Sequence, residues 1–417
     1  MILPLLLQTQ TAAERFEALR GGFDVPLAER LIGVLGIAVM IGLAVLMSYD
    51  RRRINWRLVA SGLGLQVVFG VLVLKTTAGR AVFETLGGWI TALLGFQEQG
   101  ARFVFGNLVD HSVPVTGAEG GVGLVANTGA FFAFNVLPTI IFFSALMSVL
   151  YYLGVMQMIV KGLAWGMQKT LRTSGAETLS ASGNIFLGQT EAPLLIKPFV
   201  GTMTRSELNT VMVGGFATGA GGVLAAYVGM LSGMLPGIAS HLLAASVMNA
   251  PAGLYLSKIL LPETETPLTA GTLPLGAEGQ TESSVIEAAA NGAGQGVQLA
   301  INVAAMVGVE SLSLQTFLCS LLRPLAWVMG VPWQDTAYVG GLIGRKTSLN
   351  EFVAYAQFAG DLGAGTALNP RSAVILTYAL LGFANFSSIA IQIGGIGGLA
   401  PERRGEIASL GLRAMVA

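Results

Sequence analysis

Two Gly-rich blocks in this chain repeat one pattern, and each follows a glutamate set in apolar sequence. Gly215–Thr218 reads Gly-Phe-Ala-Thr and lies downstream of Glu191; Gly382–Asn385 reads Gly-Phe-Ala-Asn and lies downstream of Glu351. A carboxylate within a membrane is energetically costly, so it marks a candidate functional site. Two such glutamates at corresponding places predict that the chain is built from two related halves.

The composition places most of the chain in a bilayer. Of its 417 residues, 53% are hydrophobic and only 11% are charged, whereas soluble domains carry about 25% charged residues. The formal net charge is zero, so no nucleic-acid partner is indicated. The single cysteine, Cys319, excludes an internal disulfide. With two histidines and scattered aspartates, the chain offers little for acid–base or metal catalysis, and we expect no enzyme.

The first third of the chain predicts membrane spans with a defined orientation. Leu31–Tyr49 is free of charge and long enough to span at about 1.5 Å per residue. Arg51–Arg53 follows it, and such a basic cluster lies on the cytoplasmic side, so the N-terminus is expected outside. Leu58–Leu74 then returns across the membrane. Val82–Phe96 has the amphipathic pattern of an interfacial helix.

Later apolar stretches predict further helices. Phe131–Val155 suits a scaffold helix that is kinked at Pro138. Leu208–Leu231 and Gly237–Leu256 are spans rich in Gly and Ala, a composition that lets helices pack closely in lipid. Ile375–Ile393 is the span that corresponds to Leu208–Leu231 in the second half.

Two segments have the composition of broken helices. Leu179–Phe199 combines glycines and a proline with polar side chains that a lipid-facing helix would not tolerate. Broken backbone at membrane depth is found only where protein buries it or where it lines a cavity. We therefore predict a re-entrant hairpin with its tip near Gly188–Pro193. Trp327–Phe358 has the same character, with a break near Asn350-Glu351.

The residues around the two glutamates suit a small polar ligand. A carboxylate can accept hydrogen bonds from two neighbouring hydroxyls, as on a ribose. Beside Glu191, the side chains of Gln189 and Thr190 suit the polar edge of a heterocyclic base. An ion pair that joins two helices is the alternative role for each glutamate, with Lys197 or Lys346 as partner.

Other polar residues extend this pattern. Asn385 and Ser388 are three residues apart and share a helix face, and Phe383 borders them with an aromatic ring. Such a patch suits a sugar below a base, although hydrogen bonding between helices explains the spacing equally well. Asn184 and Thr218, with carbonyls of a broken hairpin, suit a hard cation such as sodium.

Four stretches resemble the concentrative nucleoside transporter family. Asn184–Pro193 is similar to the first hairpin motif of that family, and Gly344–Tyr355 is similar to the second. Gly382–Ser388 and His241–Met248 also resemble family sequence. The resemblance runs from about residue 30 to the end of the chain.

The resemblance implies a role for each site residue. The residues implied to contact the nucleobase are Gln189, Thr190, Glu191, Val223 and Phe383. The residues implied to hold the ribose hydroxyls are Glu351, Asn385 and Ser388. The residues implied to bind sodium are Asn184, Leu187, Thr218 and Gly219, of which Thr218 stands where the family often has Ser.

The resemblance also implies a fold, an assembly and a location. The expected fold is an all-α polytopic membrane protein with an inverted repeat of re-entrant hairpins and spans. It implies a homotrimer in the cytoplasmic membrane of a bacterium, with scaffold domains and transport domains that move like elevators. The expected parts are N-terminal scaffold and interfacial helices (1–175), a first transport repeat (176–260), a linker (261–282), an interfacial helix with a shortened scaffold helix (283–322) and a second transport repeat (323–417).

The chain departs from the family pattern at two places. After Ala300–Met306 the family continues through a long scaffold helix, whereas this chain runs to Gly308–Glu310 and is short by roughly twenty residues, about one span. Family members also close with a further helix after the segment that resembles Gly411–Val416. We therefore expect that segments of the family fold are missing from this chain.

The leading expectation is sodium-coupled nucleoside import without any organic cofactor. A proton-coupled symporter on the same fold is the nearest alternative, and one glutamate would then titrate. A membrane-embedded enzyme would need an acid–base pair or a metal cluster. A passive channel would favour continuous pore-lining helices rather than two hairpins.

Overall fold

The computed structural model of the protein describes residues 27–109, 112–115, 124–127, 132–272, 282–307 and 312–417. These residues are almost wholly helical, which confirms the helical fold predicted from the sequence. Of the predicted linker 261–282, residues 273–281 lie outside the described residues.

Three helices open the described chain: α1 (Leu27–Leu46), α2 (Trp56–Lys75) and α3 (Thr77–Phe105). The side chain of Asn55 caps α2, and that of Thr76 caps α3, each by accepting a hydrogen bond from a backbone N–H of the first turn. The helix α3 contains the predicted interfacial segment Val82–Phe96 but extends beyond it in both directions.

Two short strands follow, which the sequence did not predict. The strands β1 (Ser112–Val115) and β2 (Leu124–Asn127) pair antiparallel, with Ser112 opposite Asn127. Two helices come next, α4 (Phe132–Tyr152) and α5 (Val155–Leu171), and α4 contains Pro138 as predicted. They meet at Gly154, whose φ of +79° turns the chain.

By length and apolar composition, Trp56–Lys75 and Arg205–Leu231 can each cross a membrane within the described residues. The pair Val136–Tyr152 and Val155–Leu171, bent by 78°, adds a third crossing if it counts as one span. Trp56–Lys75 and Arg205–Leu231 lie over spans that the sequence predicted, Leu58–Leu74 and Leu208–Leu231.

The first half of the repeat is a hairpin followed by an interrupted helix. Its elements are α6 (Gly175–Gly183), a 3₁₀ turn (Ala192–Ile196), α7 (Lys197–Val200), α8 (Arg205–Ala217) and α9 (Gly221–Leu231). The long helix α10 (Ile238–Leu260) closes this half. The hairpin lies where the sequence predicted one, with its turn at residues 184–191.

The second half has the same order of elements. These are α13 (Thr336–Ser348), α14 (Glu351–Gly363), α15 (Pro370–Leu380), α16 (Phe386–Leu399) and α17 (Arg404–Val416). Two helices connect the halves, α11 (Val285–Val307) and α12 (Leu312–Val328).

The interruption of one helix in each half is a correction to the sequence prediction. Leu208–Leu231 and Ile375–Ile393 were each predicted as a span without a break, and the first of them still lies within a segment that can cross as one span. In the structure, α8 and α9 are separated at residues 218–220, and α15 and α16 at residues 381–385. The apolar pattern continues through both interruptions, because each is buried in protein rather than exposed to water.

A buried carboxylate ties the base of each hairpin to the interrupted helix that follows it. At the first base, Ser174 Oγ donates to the carboxylate of Glu207. At the second base, the Asp335 carboxylate accepts from Ser372 Oγ and from the backbone N–H of Asn369 at 3.1 Å. Each hairpin and its interrupted helix are therefore joined at one end.

The helix α11 packs closely along α4. A Cβ atom built on Gly292 would lie 2.7 Å from the Ser144 carbonyl oxygen, and one on Gly296 would lie 2.7 Å from Ile141 Cα. These glycines let the two backbones approach, as small residues do in membrane proteins. An interfacial helix and a shortened scaffold helix were predicted at 283–322, whereas Val285–Val307 forms one continuous helix before Leu312–Val328.

Candidate functional site

The two helix interruptions meet at Gly382. This residue has φ of +101°, and a Cβ atom built on it would lie 2.7 Å from the carbonyl oxygens of Phe216 and Ala217. Those carbonyls end α8, the helix before the first interruption. Only glycine fits such a backbone conformation and such a close approach. The repeated Gly-Phe-Ala blocks are therefore the crossing point of the two halves.

Polar side chains satisfy carbonyl groups that the interruptions free from helical hydrogen bonds. Asn249 Nδ2 donates to the Ala217 carbonyl at 2.7 Å. Lys346 Nζ donates to the carbonyls of Ala379 and Leu381 at 3.0 and 3.1 Å. Unpaired backbone groups are costly at membrane depth, so these contacts stabilise the crossing. The sequence suggested Lys346 only as an ion-pair partner for a glutamate.

Glu351 lies buried at this crossing, in the first turn of α14. Its carboxylate accepts a hydrogen bond from Asn385 Nδ2 at 2.9 Å and one from the Tyr227 hydroxyl at 3.3 Å. The N-terminus of a helix stabilises negative charge. Asn350 caps the same helix by accepting from the Val353 N–H at 2.8 Å. The site therefore holds a carboxylate among donors that come from both halves of the chain.

Asn385 and Ser388 occupy the start of α16. Asn385 is its N-cap residue, and its Oδ1 accepts from the backbone N–H of Ser388 at 2.9 Å. The same amide thus caps a helix with its oxygen and reaches Glu351 with its nitrogen. Both side chains are buried. Their shared helix face, predicted from the spacing, is turned toward the site.

Gln189 at the tip of the first hairpin is bonded directly to the second half. Its Nε2 donates to Ser388 Oγ at 3.0 Å, and its Oε1 accepts from Gln392 Nε2 at 3.0 Å. The hydrogen bond to Ser388 joins a residue that we expect to face a base with one that we expect to face a ribose. The predicted base and ribose residues are therefore adjacent.

The two residues after Gln189 lie at the edge of the site. The Glu191 carboxylate is half-buried and accepts from the Gly188 N–H at 3.1 Å, which closes the hairpin turn. Thr190 is exposed, and its Cγ2 would lie 2.9 Å from a Cβ built on Gly395. Thr190 is thus near α16, but neither residue bonds to Glu351 or Asn385 in a contact that the structure records.

Apolar side chains border the polar residues. Val223 and Phe383 are buried in one hydrophobic cluster, where Phe383 is 9% exposed. Tyr227 belongs to that cluster and stacks on Tyr355 with ring centroids 4.1 Å apart. Stacking fixes the orientation of the Tyr227 ring, and so the direction of its hydroxyl toward Glu351.

Asn184 is the described residue that best fits a cation ligand. Its side chain is fully buried at the C-terminal end of α6, yet neither its Oδ1 nor its Nδ2 has a hydrogen-bond partner among the described residues. Buried amides are normally paired, so an orphaned pair points to a ligand. Thr218 Oγ1 donates to the Gly214 carbonyl at 2.8 Å, and Gly214 also packs against the Asn184 amide.

The backbone that we expect to complete this cation site lies in the same place. The Gly221 N–H donates to the Phe186 carbonyl at 2.9 Å, which joins the hairpin turn to the start of α9. Leu187 follows Phe186 in that turn, and Gly219 lies in the interruption that contains Thr218. The hairpin and the interruption are therefore neighbours, as a shared ion requires.

Two buried residues of the site escaped the sequence analysis. Tyr227 lies in an apolar stretch, where nothing distinguishes its hydroxyl from that of a packing residue. Gln392 is an uncharged polar residue in an otherwise apolar helix, and that contrast was the available signal. Gln392 also donates to the Met212 carbonyl at 3.1 Å.

Family models match nearly the whole chain. The Na+ dependent nucleoside transporter N-terminus matches residues 35–108, a nucleoside recognition domain matches 133–234, and the Na+ dependent nucleoside transporter C-terminus matches 241–309 and 306–417. The chain belongs to the Na+ dependent nucleoside transporter family. The resemblance read from the two hairpin motifs is therefore confirmed, and membership makes the chain a membrane transporter rather than an enzyme.

Relatives across this family agree with that placement. An uncharacterized transporter of Haemophilus influenzae is 41% identical, over 93% of this chain and 94% of its own. The mouse sodium/nucleoside cotransporter 1 is 40% identical, over 93% of this chain and 61% of its own length. The structure of CNTnw in an inward-facing substrate-bound state superposes with a TM-score of 0.81 at 43% identity, covering 93% of this chain and 95% of that one.

The same neighbour has also been solved in another conformation. A doubly substituted variant of CNTnw in an outward-facing state matches with a TM-score of 0.81 at 41% identity, covering 94% of each chain. A transporter of this fold can thus face either side of the membrane.

Proposed function

We propose that this chain imports nucleosides by sodium symport, with an elevator-type movement of its transport domain. The observation that carries the proposal is that Gln189 of the first half and Glu351 of the second half both bond to the start of α16, at Ser388 and Asn385 respectively. A ligand that enters from water and binds there would contact both hairpins at once. Closure of either hairpin tip over the ligand would then depend on the ligand itself.

The site is divided into a sugar side and a base side. Glu351 and Asn385 offer an acceptor and a donor suited to ribose hydroxyls, and Ser388 extends that side. Gln189, Thr190 and Glu191 offer polar groups to the base edge. Val223 and Phe383 supply apolar surface for its faces. A nucleoside that bonds to both Gln189 and Ser388 must replace the hydrogen bond between them.

Sodium is the coupling ion that these side chains suit best. The orphaned Asn184 oxygen and the Thr218 hydroxyl, with carbonyl oxygens of Leu187 and Gly219, make an all-oxygen donor set at broken backbone. An ion bound there joins the first hairpin turn to the interrupted helix. It would hold Gln189 in place for the nucleoside, so ion binding would raise nucleoside affinity.

The assembly and orientation rest on other features. The tied hairpin bases support a transport unit that moves as one body. We propose a homotrimer of scaffold domains in the cytoplasmic membrane of a bacterium, following the family resemblance. The cluster Arg51–Arg53 at the end of α1 supports an N-terminus on the outside.

We further propose that a scaffold segment is missing inside the chain. The C-terminal family model matches in two stretches that meet at residues 306–309. The alignment to the Haemophilus relative spans 411 positions, more than 93% of 417 residues supplies. Gaps in this chain account for the difference. The missing segment would belong to the scaffold, and the crossing that holds Glu351 would keep its residues.

The test is uptake of labelled uridine by cells that express the chain, with sodium or potassium outside at fixed pH. Sodium symport predicts uptake that needs sodium, and an Asn184→Ala variant whose uridine affinity no longer responds to sodium. Uptake that follows an imposed pH gradient and ignores sodium would instead establish the proton-coupled alternative. Uptake that cannot accumulate uridine above its outside concentration would indicate a passive channel.

A further inference from the structure

Gln392 makes contacts that the roles above do not explain. It lies fully buried on α16, and its Nε2 donates both to the Met212 carbonyl at 3.1 Å and to Gln189 Oε1 at 3.0 Å. Met212 belongs to α8 and Gln189 to the first hairpin tip. One amide on the second half therefore bonds both to the hairpin tip and to α8 of the first half.

These contacts determine the orientation of two amides. A backbone carbonyl only accepts hydrogen bonds, so the nitrogen of Gln392, and not its oxygen, must face Met212. The same nitrogen also faces Gln189, so the oxygen of Gln189 must face Gln392. The nitrogen of Gln189 is then left to face Ser388, as the 3.0 Å hydrogen bond records.

The surrounding backbone leaves room for this arrangement. A Cβ atom built on Gly215 would lie 2.9 Å from both Gln189 Cβ and Gln392 Nε2. Gly215 is the first residue of the repeated Gly-Phe-Ala block. The absence of its side chain thus lets the two amides lie side by side against α8.

The orientation of the Gln189 amide follows from this series of hydrogen bonds. Its oxygen is occupied by the hydrogen bond from Gln392, whereas its nitrogen carries two N–H groups, one of which bonds to Ser388. Gln189 therefore offers hydrogen-bond donors to whatever binds beside Ser388. A base edge that presents a carbonyl oxygen meets this requirement, and one that presents an amino group does not.

We propose that Gln392 is a positioning residue that makes the site select nucleosides with a carbonyl oxygen at the base edge facing Gln189. The proposal rests on the proposed function, because it assigns a substrate preference to the same site. Gln392 acts through Gln189 and does not itself touch the nucleoside. Uridine, with a carbonyl group at position 4, is the preferred probe over cytidine, which has an amino group there.

The experiment measures binding of uridine and cytidine to the purified full-length chain in sodium, by titration calorimetry. The unaltered chain should bind uridine roughly tenfold more tightly, the order expected when a buried donor loses its acceptor. In Gln392→Met, which has similar volume and no amide, Gln189 can rotate, and the two affinities should converge. Equal or stronger binding of cytidine by the unaltered chain would overturn the proposal even if the variant did not fold.

A double-substitution cycle separates positioning from general packing. Gln392→Met should not change the uridine-to-cytidine ratio when Gln189→Ala is already present, because the amide that it orients is gone. An equal change of the ratio in both backgrounds would show that Gln392 acts without Gln189. If the unaltered chain bound neither nucleoside, the proposed function would be overturned, and this inference with it. If both nucleosides bound but Gln392→Met left the uridine-to-cytidine affinity ratio unchanged, this inference alone would be overturned.

Discussion

Asn385 Nδ2 donates a hydrogen bond to the carboxylate of Glu351 over 2.9 Å, between two buried side chains that are 34 residues apart in sequence. The contact joins the second hairpin to the second interrupted helix. Each residue lies at the start of a half-helix whose N-terminal end faces the crossing. The positive ends of two helix dipoles therefore stabilise the Glu351 carboxylate there.

Glu351→Gln should weaken uridine binding by about ten- to a hundredfold, because a hydrogen bond to a charged group contributes about 1.5–3 kcal/mol. Calorimetric titration of the purified variant measures the loss. If the carboxylate binds a ribose hydroxyl, the same substitution should matter much less for a deoxygenated uridine that lacks that hydroxyl. Glu98→Gln on the exposed face of α3 is the matched control and should leave binding unchanged.

Thr218→Val should abolish the dependence of uridine uptake on sodium, whereas Thr218→Ser should keep it. The two variants differ mainly in the hydroxyl, which we expect to be a sodium ligand beside Asn184. Initial uptake rates over a range of sodium concentrations measure the effect. Equal sodium dependence in the two variants would show that the Thr218 hydroxyl is not a sodium ligand.

Gly382→Ala should destabilise the protein by at least about 1–2 kcal/mol, the cost of a left-handed backbone with a side chain. The clash with the Phe216 and Ala217 carbonyls adds to this cost. Thermal unfolding in detergent measures the difference. Gly394→Ala, in the helix α16 with no atom within 4 Å of the added Cβ, should be neutral or slightly stabilising. A similar loss of thermal stability in both variants would contradict the close approach of Gly382 to the end of α8.

Lys258→Met should destabilise the first hairpin base by about 3–5 kcal/mol, because it leaves the buried carboxylate of Glu177 without its counter-charge. Lys258 Nζ lies 2.9 Å from Glu177 and 3.2 Å from Glu263. Adding Glu177→Gln to this variant should restore part of the loss, since one uncompensated charge is removed. Thermal unfolding measures the loss in both variants. If the double variant recovered no stability, the loss in Lys258→Met would come from packing rather than from charge.

Much of the architecture followed from local patterns in the sequence. Charge-free stretches such as Leu58–Leu74 predicted helices because only a helix satisfies its own backbone in lipid. Glycine, proline and polar residues together in Leu179–Phe199 predicted a broken hairpin for the same reason. The glutamates stood out as candidate site residues because charge is rare in such surroundings, and the family was recognised from the resemblance of the two hairpin motifs.

The sequence by itself determined the class of the protein, the two hairpins and the residue types of the site, because these depend on burial cost and local backbone chemistry. Only the tertiary structure decided which residues meet. The interruptions at Thr218 and Gly382 leave the apolar pattern intact, and their place depends on Asn249 and Lys346, which pair the freed carbonyls from elsewhere in the chain. The orientation of Gln189 likewise depends on Gln392, 203 residues away. Such hydrogen bonds are set by the approach of distant helices, which no local pattern encodes.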